Sequence, residues 1–558
     1  MSREISSPTR DPARPRCRVS RGDGVESTMR GIRENLRAAL CIPGGNRRPP
    51  PTLPPPDDSA GEGREDLISA LPDDVLLSVL LRLPSAARTS VLSRRWRRLW
   101  ARLPELRFPH PTDPLALARS RAALAALAGP ALRLLRVVAY DADPGDAAAV
   151  LRLAAARLAR EVSIRNVVPE CRKRAVVARA GARAAVVLPC FDRAELLLLC
   201  LGYLRLVMPL SGVFAKLTVL YLSDVRFEDA CDLGDALSTA RCPSLRKLVI
   251  HNAQGLSNLA ICSESLSVDL RNLEGLQQLT VVAPMLRELI IINCFLMRQP
   301  VAGISAPVLE KLWWSDVYDP SSVQLGELAQ LRMLVTCCFA GYGLFENMQN
   351  CVTVLLLQHF QKIAFLGMLI IPTQQGFSKK NMEFWTRSWS SGEQISKNMV
   401  NYQYFMEATA LLPDIENLHL RLARHGHVVG TCVFHMLKIS TSIRRLNLDI
   451  NEGIKEKAAC SPGCVCHLPQ DWETKELRFN SLEELSICGL SGADCDFTFV
   501  KRLLGWMPVL RTITMNFNPS AFVSEELCKE LLCLPRPETC MKIYLYRNGA
   551  KVMYTPAC

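Results

Sequence analysis

Residues Asp66 to Trp100, DLISALPDDVLLSVLLRLPSAARTSVLSRRWRRLW, compress three short helical patterns into a span too small to form a domain alone. Pro72, Asp73 and Asp74 place a fixed φ and two acids at a helix start, where unpaired amides and the helix dipole favour them. Val75, Leu76, Val79, Leu80 and Leu83 follow at helical spacing, and Pro84 ends the run. A second pattern, Ala86 to Leu92, is short and small; a third takes Ser93 as its cap and sets Trp96, Leu99 and Trp100 on one face. Arg94, Arg95, Arg97 and Arg98 occupy the other face and read as a solvated surface whose stems cover apolar neighbours. A segment of this size rarely buries so much Leu, Val and Trp by itself. Part of its apolar surface is therefore expected to dock on another helix.

The order of an LP pair, a Leu-rich helix and SVLSRRWRRLW resembles the plant form of the F-box, over residues 66–102. The resemblance implies a three-helix module that binds Skp1. Leu71, Pro72, Val75, Leu76, Leu80, Leu83, Pro84, Val91, Leu92 and Trp96 match the family positions that form the module and its Skp1 face. Which of them touch Skp1 and which pack inside is left open at this point. The alternative is a bundle fragment packed on the rest of the chain.

The second informative feature is a recurring Leu-x-x-Leu-x-Leu spacing. It reads Leu132, Leu135, Val137; Leu217, Leu220, Leu222; Leu245, Leu248, Ile250; and Leu276, Leu279, Val281. It continues with Leu286, Leu289, Ile291; Leu309, Leu312, Trp314; Ile415, Leu418, Leu420; and Ile443, Leu446, Leu448. Leu482, Leu485, Ile487 and Leu510, Ile513, Met515 complete it. Most neighbouring starts lie 22 to 31 residues apart, near the period of leucine-rich repeats, often after a turn such as CPSL or APVL. Each unit offers one half-buried strand that only its neighbours can cover, so stacking predicts a solenoid with a parallel sheet on a concave binding face. Leu276 and Leu286 stand only ten residues apart and cannot both begin full repeats, so the array is irregular. The competing view makes these leucines the core of some other α/β domain.

Several stretches fall outside the repeat. Residues 1–65 are rich in Arg, Pro, Ser and Gly, with six prolines from Pro49 to Pro56, and are expected to be disordered. Glu4, Asp11, Asp23 and Glu26 argue against an organelle transit peptide there. The segment 103–200 is dominated by Ala, Leu and Arg, and Leu117 to Leu127 reads as an amphipathic helix. The pattern lapses from about 340 to 405, and residues 367–402 read as an insertion in which Trp385 and Trp389 pack inward. Val352 to Ile371, the best membrane candidate, is broken by Gln358, His359, Gln361 and Lys362 and reads as core or a partly buried helix.

The region 405–525 resembles the tail of grass F-box proteins with leucine-rich repeats and an FBD-type region. In that pattern Trp472, Leu482, Leu485, Ile487, Phe499, Leu503, Leu504, Met507 and Leu510 form strand and helix core. Cys460, Cys464, Cys466 and His467 could together close a tetrahedral zinc site, but one tight loop with no second ligand pair argues against metal. A P-loop, a GxSxG elbow and an HExxH pair are all missing, which weakens an enzyme reading. A net charge of +13 over 558 residues, spread along the chain without a nucleic-acid motif, does not argue for DNA or RNA. Twenty-two scattered cysteines without a leading apolar segment point to a reducing compartment, nucleus and/or cytoplasm, with free and mostly buried thiols.

The expected fold class is α/β: an N-terminal three-helix F-box followed by an irregular leucine-rich-repeat solenoid with a parallel sheet. The expected divisions are a tail at 1–65, the F-box at 66–102, repeats at 103–404, an LRR/FBD-like region at 405–525 and a C-terminal segment at 526–558. What the resemblance implies is a non-catalytic adaptor, without cofactor, that docks through Skp1 on a cullin in an SCF-type ubiquitin ligase and holds an unidentified protein target; membrane binding is not expected. Against it stand a non-degradative repeat scaffold, a ligand-sensing receptor and a nucleic-acid binder.

Overall fold

The computed structural model describes residues 71–83, 94–109, 115–127, 131–168, 185–227, 233–295, 300–342, 348–372, 413–423, 430–451 except 439 and 441, and 476–555 except 522 and 548. The second helical pattern at Ala86–Leu92, Trp385, Trp389, Trp472 and the cysteine loop at 460–467 lie outside these residues, as does the tail.

Helix α1 spans Asp73–Arg82 and α2 spans Arg94–Trp100. Pro72 precedes α1, two acids fill its first turn and Arg82 its last, matching the dipole at both ends. Leu76 and Leu80, four residues apart, point the same way and pack with Trp96, Leu99 and Leu103 in a small core. Arg95 is not simply solvated. Its Nη2 donates to the Leu71 carbonyl at 2.6 Å and to Asp73 Oδ1 at 2.7 Å, bracing α2 against the start of α1.

From there the chain builds one long sheet by adding strands in chain order. β1 (Glu105–Phe108), β2 (Leu134–Tyr140), β3 (Glu161–Val167), β5 (Leu196–Val207), β6 (Val219–Arg226) and β7 (Lys247–Gln254) pair in parallel, with β4 (Val186–Val187) beside the far end of β5. β9 (Ser267–Glu274), β11 (Glu288–Ile292), β13 (Lys311–Ser315), β15 (Met333–Tyr342) and β16 (Lys362–Pro372) carry the ladder on. β17 (Asp414–Ala423), β18 (Arg445–Asn451), β19 (Glu484–Leu490), β20 (Thr512–Phe517) and β21 (Cys540–Arg547) complete the parallel run, and β22 (Ala550–Met553) turns back antiparallel on β21. All thirty side chains of the ten leucine triplets are buried.

Parallel neighbours need crossovers, and two kinds are used. At both ends of the sheet they contain helices: α3 (Ala116–Ala126), α4 (Pro144–Ala156), and later α6 (Met348–Gln358), α7 (Gly430–Lys438), α8 (Asp494–Gly505) and α9 (Glu525–Cys533), with one short turn, α5 (Leu233–Ala236), in between. α4 is well defined at its start, where Asp143 Oδ1 accepts from the amides of Gly145 and Asp146 and Pro144 takes the first position. In the middle the crossovers are strands. β8 (Asn258–Cys262), β10 (Gln278–Val282), β12 (Val301–Ser305) and β14 (Val323–Leu325) make a second parallel sheet. The ten-residue interval follows directly: Leu279 and Val281 lie on β10, Leu289 and Ile291 on β11, so the two triplets line one core from two sheets. Here the main-sheet strands start only twenty to twenty-three residues apart.

The structure corrects some of these expectations. The pattern does not lapse at 340, because α6 and β16 fill 348–372 and residues 367–372 belong to a strand, not to an insertion. Val352 to Ile371 is core as expected, divided between the end of one helix and most of one strand, with Leu356, Leu357, Leu366 and Ile370 buried, and no helix among the described residues is long and apolar enough to cross a membrane. The segment from 526 is not separate: Leu531 and Ile543 join the same core and β21 pairs with β20. Among the nine cysteines described as free, Cys242, Cys294 and Cys528 are buried, Cys190, Cys200 and Cys488 are half-buried and Cys262, Cys533 and Cys540 are exposed.

Candidate functional site

Two surfaces are left by this construction, one on α1 and one on the main sheet. On α1 the inward residues are fixed by the small core: Leu76 and Leu80 are each 1% exposed and Trp96 is 8% exposed, so these three pack inside. The same helical arithmetic leaves a ridge at steps of four. Leu71, Val75, Val79 and Leu83 are 36%, 40%, 42% and 37% exposed. Pro72 is exposed at the head of the ridge, and Leu81 beside it is 40% exposed. Pro84, Val91 and Leu92 lie outside the described residues. Val79 was read as part of the helical pattern but not among the candidate docking residues, although it stands one turn from Val75, and Leu81 was not named. A contiguous apolar ridge on a short helix marks a docking surface more than a solvated one. A shallow recess between Leu80, Leu81, Leu83 and the whole of β1 adjoins it.

On the main sheet, alternate residues point into the core and the others form an open face. One register row of that face can be followed from strand to strand. It joins Arg107, Arg136 and Ser163 to Leu198, Tyr221 and Val249, and then passes through Asp269, Ile290 and Trp313. Its centre is closely crowded: Val249 and Asp269 are each 3% exposed and Ile290 is 8% exposed. The buried carboxylate is held by neighbours. Arg271 Nε and Nη2 donate to Asp269 Oδ1 and Oδ2 at 2.6 and 2.9 Å, and His251 Nε2 lies 3.2 Å from Oδ1. Burial pushes the Asp269 carboxyl up, but His251 and Arg271 outweigh that and leave it below its ordinary value.

Tyr221 Oη stands 3.3 Å from His251 Nδ1, which gives a Tyr–His–Asp chain. It is poorly suited to catalysis. Burial, first of all, raises the Tyr221 hydroxyl, and Asp269 is already engaged by a guanidinium on both oxygens. No group of three His, Cys, Asp or Glu that could hold a metal occurs among the described residues, and Cys460, Cys464, Cys466 and His467 lie outside them.

The open face is anchored by a polar ladder that sequence reading missed. Asp224, Asn252, Asn272 and Asn293 occupy equivalent places in β6, β7, β9 and just after β11, each with φ between 51° and 53°. Asn252 Nδ2 donates to Asp224 at 3.0 Å, Asn272 Nδ2 to Asn252 at 2.8 Å and Asn293 Nδ2 to Asn272 at 3.2 Å. The left-handed conformation suits Asn and Asp, and the amides bond strand to strand. The signal was present as Asn or Asp two residues after the last apolar member of successive units.

Comparison with known proteins gives matches at both surfaces. Residues 68–108 match the F-box domain, and residues 148–330 match the family described as FBD-associated F-box protein At5g56370, LRR repeats. An Arabidopsis thaliana F-box/FBD/LRR-repeat protein, At2g04230, is 53% identical over 53 residues, which is 9% of this chain and 12% of that protein. The Arabidopsis thaliana putative F-box/LRR-repeat protein At4g15060 is 30% identical over 199 residues, 33% of this chain and 44% of that protein. The chain thus spans less than half the length of each of these relatives.

Proposed function

We propose that this chain, a plant F-box/leucine-rich-repeat protein of the FBD-associated kind, serves as the substrate-recognition adaptor of an SCF-type ubiquitin ligase. The observation that carries the reading is the ridge Leu71, Val75, Val79 and Leu83, left exposed while Leu76 and Leu80 of the same helix pack into the small core with Trp96, Leu99 and Leu103. In this reading that ridge docks on a Skp1-like protein, and the cullin is reached through Skp1.

The parallel ladder then forms a leucine-rich-repeat solenoid whose open face holds a protein target. Chemistry belongs to the other subunits, and this chain contributes proximity and orientation. Nucleus and cytoplasm, where such ligases meet soluble targets, are the proposed sites of action.

The test is complex formation between the full-length chain and a purified plant Skp1-like protein, followed by size-exclusion chromatography. A stable complex that is lost when Val75 is replaced by Asp supports the reading. A folded wild-type chain that elutes free of Skp1 overturns it in favour of a free-standing repeat scaffold.

A further inference from the structure

The register row on the open face has two chemically different ends. Arg107 and Arg136 are direct register partners, a placing in which like charges repel. Arg165 sits one strand further, beside Val138 at the next outward position. Arg107 is offset by Glu105 at 2.8 Å, but among the described residues Arg136 and Arg165 have no ion-pair partner, and both are exposed. Beyond Ser163 the row turns apolar and aromatic, at Leu198, Tyr221, Val249, Ile290 and Trp313. The one acid on the row itself, Asp269, is matched by Arg271.

Resting on the adaptor reading, we propose that this row seats an extended acidic segment of the protein target, with its carboxylates on Arg136 and Arg165 and its bulky apolar side chains on Tyr221 and Trp313. Uncompensated arginines at one end call for negative charge and steer its approach. Half-buried aromatic rings, Tyr221 and Trp313, flank a buried centre of Val249 and Ile290, and aromatic residues of this kind dominate binding energy at interfaces. Buried Arg271 bonded to Asp269 keeps the centre rigid without repelling an acidic guest.

The sheet also sets a ruler. Neighbouring strands stand about 4.8 Å apart and an extended chain advances about 3.4 Å per residue. From Arg136 to Tyr221 is three strands, about 14 Å or roughly four residues of guest; from Tyr221 to Trp313 is four strands, about 19 Å or roughly six residues. The guest is therefore a segment of about ten residues running across the strands, acidic at one end, with large apolar side chains about four and about ten positions later.

The experiment is selection of random twelve-residue peptides displayed on phage against the immobilised full-length chain, followed by fluorescence anisotropy with synthetic peptides from the selected pool. The pool is expected to be enriched in Asp and Glu, with apolar residues at the stated offsets. Affinity is expected to fall about tenfold or more in Arg136→Glu/Arg165→Glu and in Trp313→Ala, and to weaken with salt. The arginines are exposed, so the double variant keeps its fold even where Trp313→Ala does not. A pool without acidic enrichment, peptide affinity unmoved by the double variant, or stronger binding of a twelve-residue oligouridylate than of any peptide would overturn the proposal. Skp1 binding is measured on the same proteins. Its failure with the peptide pattern intact removes the adaptor reading alone, whereas Skp1 binding without that pattern removes the surface alone.

Discussion

Truncating the exposed ridge of α1 and truncating its buried side should have opposite signatures. Val75 and Val79 are 40% and 42% exposed, so a partner that covers them gains about two fifths of the value of fully burying a valine. That value is about 1.5–3 kcal/mol, which gives about 1 kcal/mol for each residue. Alanine keeps one of the three side-chain carbons, so the Val75→Ala/Val79→Ala variant should lose about 1.3 kcal/mol of Skp1 binding, roughly tenfold in Kd. Alanine is the better helix former and neither site is buried, so the melting of the variant should be unchanged or slightly raised. Leu76→Ala works the other way. It empties a site that is 1% exposed in a core of five residues and should cost about 3 kcal/mol of the module's stability. Because a partner that binds only the folded module stabilises it by mass action, that loss should be recovered at high Skp1 concentration, whereas the valine defect should persist as a weaker Kd. Isothermal titration calorimetry and a circular-dichroism melt separate the two. A folded double-valine variant that binds within threefold of wild type would refute the division of α1 into a docking ridge and a core face.

Replacing Asp269 by Asn leaves Arg271 buried opposite a neutral amide and should destabilise the sheet by about 3 kcal/mol, read from the urea midpoint, while Arg136→Gln should change it little. The Asp269 carboxyl lies below its ordinary value in the folded chain. Its stabilisation is therefore complete above the unfolded value near 4 and is lost as pH falls through the lower folded one, an acid limb that should flatten in the Asn variant. In the ladder, Asn272→Gly removes two side-chain bonds but keeps the left-handed residue comfortable, at about 2 kcal/mol; Asn272→Ala adds about 1 kcal/mol of backbone strain, so hydrogen exchange in β7, β9 and β11 should rise more for Ala than for Gly. Burial first, then Arg421, hold His419 below its ordinary value against the pull of Asp449. The unfolded ring therefore binds its proton first, and thermal stability should drop as pH falls below about 6.5, less so in His419→Phe.

Much of the core was legible because its rule is simple: the Leu-x-x-Leu-x-Leu spacing fixes which side of a strand is inward, and every residue of the ten triplets is buried. The strands that escaped show why the rest was not. β3, β5 and β9 carry Val162 and Ile164, Leu197 and Leu199, and Val268 and Leu270, but the first position of each unit is Ala159, Ala194 or Ser265. These small residues are fully buried, so they satisfy packing without giving a hydrophobic signal. The second sheet was hidden for another reason. β10 and β11 use identical apolar spacing, and nothing in a local pattern tells a strand of one layer from a strand of the layer facing it. On α1, sequence named the right helix but could not sort Leu76 from Val75, since that depends on where α2 lies. Arg95 likewise read as solvent-facing because its partners, Asp73 and the Leu71 carbonyl, stand more than twenty residues away.

The two surfaces are joined more stiffly than a linker would join them. Leu103 closes the small core of α1 and α2, the Pro104 carbonyl accepts from the amides of Arg133 and Leu134, and Glu105 already opens β1. Between the last residue of one core and the first strand of the other there is a single proline. Leu80, Leu81 and Leu83 also line, together with β1, the recess between α1 and the edge of the sheet. A tethered pair of sites gains effective concentration in proportion to how little the joint wanders, and this joint has almost no length in which to wander. In the proposed reading, an adaptor that leaves the chemistry to other subunits has geometry to offer: a ridge for docking at one end and a row for the target over successive strands, joined through a single proline.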